Sequence, residues 1–501
     1  MANADVSAKL SPGLRRGAAP GSEAMSGPIL RVLRIWSVII RLGLIQTALG
    51  AIIVLTTSTL NRVMIVELGM LAMVPGLLVG WHYAIQMLRP RWGYGSDVGG
   101  QRTPWIIGGM AVLATGGVAA AASVALASVD PLLGLVASVI AFTLIGIGVG
   151  ASGTALLTLL ATIIPPAWRA IAASTVWIMM IAGFVVTTIT AGTLLEPFSF
   201  ERLVTVSAQV SALAFCVSVI AVWGIEAAAR DRPLGQKNVP DTTLGSNQAR
   251  LPEAEPSTAG PIARAKPDFK TALRDVWQET EARRFTIFVF VSMLAYSMQD
   301  LILEPFAGIV FGMTPGESTK LSGTQHAGVL AGMIGVAALS SLFGGSRVGA
   351  LRWWAIVGCI ASALMLAGLV VAAFWGPGWP LQANVFALGA STGAFAVAAI
   401  GSMMGLASSG TAKREGTRMG LWGAAQAIAF GIGGLLGAVL VDLSGALLGS
   451  PIVAYATVFA LEAALFVASA MLAVGVGRTT ADDNRIAAPL GGETLMELEA
   501  R

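Results

Sequence analysis

Charge is scarce in this sequence. Of 501 residues only 12% are Asp, Glu, Lys or Arg, while 55% are hydrophobic. A soluble protein of this size needs roughly 25% charged residues to dress its surface, so a soluble enzyme is excluded and no enzymatic activity is expected. Histidine is nearly absent: two residues cannot build a multi-histidine metal centre, and no dedicated metal site is expected. The two cysteines, Cys216 and Cys359, lie far apart inside apolar runs and read as small buried hydrophobes rather than a disulfide. No nucleotide loop stands outside an apolar segment. Gly146-Ile-Gly-Val-Gly150 falls within one, where small residues serve close helix packing. The net charge of +4 is a topology signal, and no nucleic-acid partner is implied.

What the chain has instead is apolar length. A run of about twenty apolar residues spans a bilayer as a helix, and the hydrocarbon forces backbone groups to pair within the segment. Such runs predict an all-α polytopic membrane protein with about twelve transmembrane helices near 36–60, 64–88, 104–127, 131–163, 171–195, 203–226, 285–310, 325–345, 351–374, 381–407, 419–442 and 451–476. The expected organisation is an N-terminal tail (1–34), a six-helix half (35–226), a linker (227–284), a second six-helix half (285–476) and a C-terminal tail (477–501). The first 28 residues, rich in Ala, Gly, Ser and Pro, read as a tail rather than a cleaved signal peptide. In the linker, Phe269, Leu273, Val276 and Trp277 recur at helical spacing, as an amphipathic helix on the membrane surface or an extension of the seventh span would require. With the N-terminus inside, all 31 Lys and Arg except Arg62, Arg202 and Lys320 fall on the cytoplasmic side, so both termini are expected there. Trp36, Trp81, Trp92, Trp105, Trp168, Trp353, Trp354, Trp375 and Trp379 near span ends fit an aromatic belt.

Six spans, a long loop and six more spans suggest two pseudo-repeats. Shifting the chain by 245 places Gly148 on Gly393, Arg169 on Arg414, Trp177 on Trp422 and Gly192 on Gly437. Between spans two and three, GYGSDVGGQR resembles the loop motif of the major facilitator superfamily through Gly93, Asp97, Gly100 and Arg102, with Gln101 at one of the two basic places. Glycines permit a tight turn there, and the acid and Arg can pair with helix ends.

Ionisable groups inside the spans are the candidates for function, because each is costly in lipid and must face a cavity or a partner. Glu67 is expected one turn into span two, Asp300 and Glu304 one turn apart in the outer half of span seven, and Glu462 inside span twelve. Arg62, Glu67, Glu304 and His326 fall toward the outer side, with Asp300 somewhat deeper. Two readings stand: a substrate or proton site, or a structural lock in which Arg62 pairs with a carboxylate to hold the halves together. His82, with Gln86 at i+4, lies near the inner end of span two, and His326 begins span eight. Either is a possible magnesium ligand for a chlorin ring or an interfacial hydrogen-bonding residue.

Two segments point further. LNRVMIVEL (60–68) and QDLILEPFAGIVFGM (299–313), together with Ser96-Asp97 and RTPWI (102–106), resemble the bacteriochlorophyll-delivery (PucC/LhaA-like) family of the major facilitator superfamily. The loop GSDVGGQRTPW differs from the longer version in the antenna-linked members, which leaves open a relative linked to pigment synthesis. The resemblance implies a light-harvesting complex assembly factor that binds bacteriochlorophyll as cargo, or delivers it to antenna apoproteins, in the inner or intracytoplasmic membrane of a phototrophic bacterium. Implied partners are light-harvesting apoproteins, the reaction-centre core or bacteriochlorophyll synthase, beside membrane lipid. Glu67, His82, Asp300, Glu304 and His326 are then candidates for weak magnesium ligation. A proton-coupled transporter of a small solute and a non-transporting scaffold are the rival readings.

Overall fold

A computed structural model describes residues 22–89, 92, 101–231, 274, 277–342, 348–408 and 415–475, and among these the secondary structure is helical throughout. Twelve long helices are seen: α1 (Ser22–Val54), α2 (Met73–Gln86), α3 (Thr103–Ala127), α4 (Pro131–Ile163), α5 (Arg169–Leu194), α6 (Phe200–Val222), α7 (Thr280–Phe311), α8 (Pro315–Leu342), α9 (Val348–Trp375), α10 (Leu381–Ser408), α11 (Glu415–Leu448) and α12 (Pro451–Val474). Among the described residues ten helices are long and apolar enough to cross a membrane, and α2 and α8 are not among them. The protein is therefore a multi-pass membrane protein. Local chemistry sets the helix ends. The Asp130 carboxylate accepts from Leu132 and Leu133 N–H ahead of Pro131, Ser199 caps α6, and Gly312, at φ +67°, ends α7.

The packing repeats with a step of six. In the first half α1 lies against α5 and α6, α3 against α4 and α6, and α2 against α4. In the second half α7 lies against α11 and α12, α9 against α10 and α12, and α8 against α10. The halves meet through the turns that continue α1 (Leu55–Glu67), which lie against α7 and α8, and through the reciprocal pairs α2–α11 and α5–α8. Residue environments do not follow the shift of 245 throughout, since Trp177 is exposed and Trp422 buried. Small residues bring backbones together, as expected where lipid supplies no hydrophobic drive. Gly328 and Gly332 of α8 face Gly389 and Gly393 of α10 so closely that a Cβ on any of them would fall within 2.2 Å of a backbone carbonyl oxygen of the neighbouring helix. Gly146 backs onto His82 and Ile85, and Gly148 onto Gly109 and Leu113.

Three expectations need correction. The first span does not end near residue 60. α1 continues without a break through a π turn (Leu55–Thr59), an α turn (Leu60–Arg62) and a second π turn (Val63–Glu67). Glu67 therefore closes the first helical run instead of opening the second span, and the connection is 68–72. Helix α8 starts ten residues before the expected 325, which puts His326 well inside it. Cys216 is exposed on the outer face of α6, whereas Cys359 is buried. Gly93, Asp97 and Gly100 of the loop motif, and most of the expected amphipathic segment, lie outside the described residues.

Candidate functional site: a polar joint between the halves

The halves are joined around the end of α1. Because the helices run up and down, α1 begins and α12 ends at one end of the bundle; the joint lies toward the opposite, or far, end. A π turn packs an extra residue into the helical repeat and so re-aims the side chains beyond it. Here two π turns flank Leu60–Arg62, and four of the five residues 58–62 bond to the second half. Ser58 Oγ donates to Glu304 Oε1 and lies 3.2 Å from Ser322 Oγ of α8. The Thr59 and Thr319 hydroxyls are 3.0 Å apart. Asn61 Nδ2 donates to the Leu301 carbonyl at 2.7 Å. Arg62 Nη2 donates to the Met313 carbonyl at 2.6 Å, while Nη1 pairs with Glu67.

Each of these contacts answers a local need. Pro305 sits inside α7 and has no N–H, so the Leu301 carbonyl four residues back loses its helical partner. The Asn61 amide supplies it from the other half. Gly308 leaves room for the guanidinium: a Cβ there would lie 3.1 Å from Arg62 Nη2. Arg62 is 2% exposed and Glu67 one-third exposed. Arg62 thus bridges the halves through a backbone carbonyl, and its ion pair stays within its own helical run.

Two further clamps lie at the same end. The Asp442 carboxylate of α11 accepts from Ala72 and Met73 N–H at 2.9 and 2.7 Å, capping α2 across the halves. Glu196, just beyond α5, accepts from the Thr314 hydroxyl at 3.1 Å and lies 3.7 Å from Lys320 Nζ. Beside them Gly192 and Gly316 press backbone to backbone.

The other candidates are scattered. His326 stands one turn along α8 from Ser322, its Nδ1 2.8 Å from the Ser322 carbonyl and its ring edge-on to Phe184 at 4.9 Å. It belongs to the margin of the joint. Asp300 is exposed between the buried Gln299 and Leu301, within electrostatic range of Tyr83 and Tyr296. His82 is buried away from the joint, its Nδ1 2.6 Å from the Val79 carbonyl, and Gln86 accepts from Arg89. Arg102 begins α3, where the Glu226 carboxylate accepts from Arg102 and Thr103 N–H at 2.8 and 2.9 Å. Among the buried atoms that find no hydrogen-bond partner within the described residues are Glu304 Oε2, both amide atoms of Gln299 and both carboxylate oxygens of Glu462, and at the joint itself Asn61 Oδ1 and Arg62 Nε. Among the described residues no cluster of three or more His, Cys, Asp or Glu could hold a metal ion.

Ser58, Asn61, Ser322 and Asp442 were not singled out by the sequence. One signal was available for Asn61: a proline inside a span announces an unpaired carbonyl.

The family model described as "PUCC protein" matches residues 59–481. The chain belongs to that family. Among PucC relatives, it is 48% identical to the "Bacteriochlorophyll synthase 44.5 kDa chain" of Rhodobacter capsulatus, covering 88% of this chain and 95% of the relative. It is 28% identical to "Protein PucC" of the same organism, covering 87% and 91%. The fold is that of major facilitator transporters. The E. coli xylose transporter XylE in an inward-open conformation aligns with a TM-score of 0.60 over 93% of this chain and 99% of that one, at 14% identity. A bacterial homologue of the lysosomal transporter Spinster aligns at 0.57 over 88% and 95%, at 16% identity. A PucC-family chain thus carries a transporter architecture and a photosynthesis-related kinship.

Proposed function

We propose that this protein assists assembly of light-harvesting complexes by binding bacteriochlorophyll and passing it to antenna apoproteins. The observation that carries the reading is the family match over nearly all the spans, joined to a two-half bundle whose far end is closed by the polar joint. The 48% identical relative, named as a chain of bacteriochlorophyll synthase, supports a working position beside pigment synthesis. The partners are then the pigment synthase, the antenna apoproteins and the reaction-centre core. The location is the inner or intracytoplasmic membrane, with both termini cytoplasmic and the joint on the outer side. An apolar space between helical halves suits a flat ring with a long tail. Asp300, exposed among buried neighbours, is the best-placed of the predicted ligands to meet such a ring, and His82 the worst, being packed between helices.

The test is an absorption spectrum of the protein purified in mild detergent from a phototrophic host, with pigment-to-protein stoichiometry. Stoichiometric bacteriochlorophyll that falls severalfold in Asp300→Ala is expected. A colourless protein that still co-purifies with apoproteins would replace the carrier with a scaffold. The buried Glu304 carboxylate between halves favours one second reading, a proton-coupled transporter of a small solute. That reading requires flux driven by a pH gradient in proteoliposomes.

A further inference from the structure

We propose that Glu304, Ser58 and Ser322 form a monovalent-cation site, for H⁺ or Na⁺, which is assembled only when the far end of the bundle is closed. The site does not depend on what the bundle carries. Glu304 is 2% exposed and projects from α7 into the meeting place of three helices from two halves. One carboxylate oxygen takes the Ser58 hydroxyl, and the other has no hydrogen-bond partner among the described residues. Around the carboxylate lie buried hydroxyls: Ser58 from the π turn that continues α1, and Ser318 and Ser322 from α8.

Charge balance singles out this carboxylate. From α1, Arg62 is already paired with Glu67. From α8, Lys320 lies beside Glu196, and His326 stands one turn past Ser322. From α11, Asp442 is bound by the N–H groups of α2. Asp300 on α7 and Glu462 on α12 carry no positive charge to offer. Arg62 is within electrostatic reach of Glu304 but spends its ion pair on Glu67, so Glu304 is a carboxylate of the joint that makes no ion pair of its own among the described residues, and burying such a group is costly. A proton on it removes that cost, and so does a hard cation held by carboxylate and hydroxyl oxygens. Because the oxygens come from the π turn after α1, from α7 and from α8, a cation binds them together only when the halves meet. Its binding then favours the closed end by mass action.

The experiment is thermal unfolding of the full-length protein in detergent, followed by tryptophan fluorescence. It compares sodium chloride with choline chloride at constant ionic strength, and covers pH 5 to 9. If the cation is Na⁺, sodium raises the unfolding temperature by a few degrees at pH 8. If it is H⁺, the unfolding temperature falls as pH rises, without sodium dependence. In either case Glu304→Gln, neutral throughout, loses the response and unfolds near the cation-loaded wild type. Should Glu304→Gln fail to fold, Ser58→Ala and Ser322→Ala keep the carboxylate; they should weaken the sodium response severalfold or shift the pH midpoint. A wild-type protein with neither response, or one whose response survives Glu304→Gln unchanged, overturns the proposal.

Discussion

Asn61 and Pro305 make a pair that neither residue explains alone. The proline removes a donor from α7 and the asparagine restores it from the other half. Asn61→Leu should orphan the Leu301 carbonyl and cost about 1–3 kcal/mol. In a Pro305→Ala background the alanine N–H takes that carbonyl, so the same substitution should cost measurably less. A double-mutant cycle on thermal or denaturant unfolding reads the difference, and purely additive effects would contradict the pairing. Glu462 is the opposite case. Neither of its oxygens has a hydrogen-bond partner among the described residues, so it contributes no hydrogen bond seen there. Glu462→Gln should unfold at the same temperature as the wild type or above it, and a clear drop would show that the carboxylate has an interaction partner.

At the scale of helices, the second half is built on contact between α8 and α10 with almost nothing between the backbones. Gly332→Val must push α10 away and should cost about 2 kcal/mol or more. Three residues on, Gly335 has open space where a Cβ would stand. Gly335→Ala should be neutral or stabilise by up to about 1 kcal/mol through helix propensity alone. Unfolding midpoints of the two variants side by side check both. The helices also show where hydropathy misleads. Asn61-Arg62 read as a connection, and the polar stretch 316–324 read as a loop. Both are helical because their polar side chains are satisfied by each other's half of the molecule, through Leu301, Met313, Thr319 and Ser322. A single sequence records that a residue is polar, not that its partner lies some 250 positions away. The spans with no share in the joint, such as α3, α4, α9 and α12, stand close to where their apolar runs put them.

For the molecule as a whole, the hydrogen bonds seen between the halves gather mainly at the far end. Engineered cysteines at Thr59 and Thr319, after Cys216 and Cys359 are replaced, should therefore form a disulfide under mild oxidation, visible as retained linkage of the two halves after proteolysis in the 232–273 segment. Failure to cross-link in membranes would mean that the closed far end is not the resting arrangement. The six-step repeat in packing was legible from the count of spans, and the membership of the family from the peculiar residues of spans one and seven. The joint was not, because it is a property of two halves meeting.

The bonds of the joint differ from the apolar packing around them in one respect: each is strong only while dry. Water reaching Ser58 would compete at once for Glu304, for Ser322 and, a turn further, for the carbonyl that Asn61 holds. Loss of one bond therefore exposes the next to solvent. Opening at this end should proceed as a wetting transition, all together or not at all, rather than as a gradual spreading of the helices.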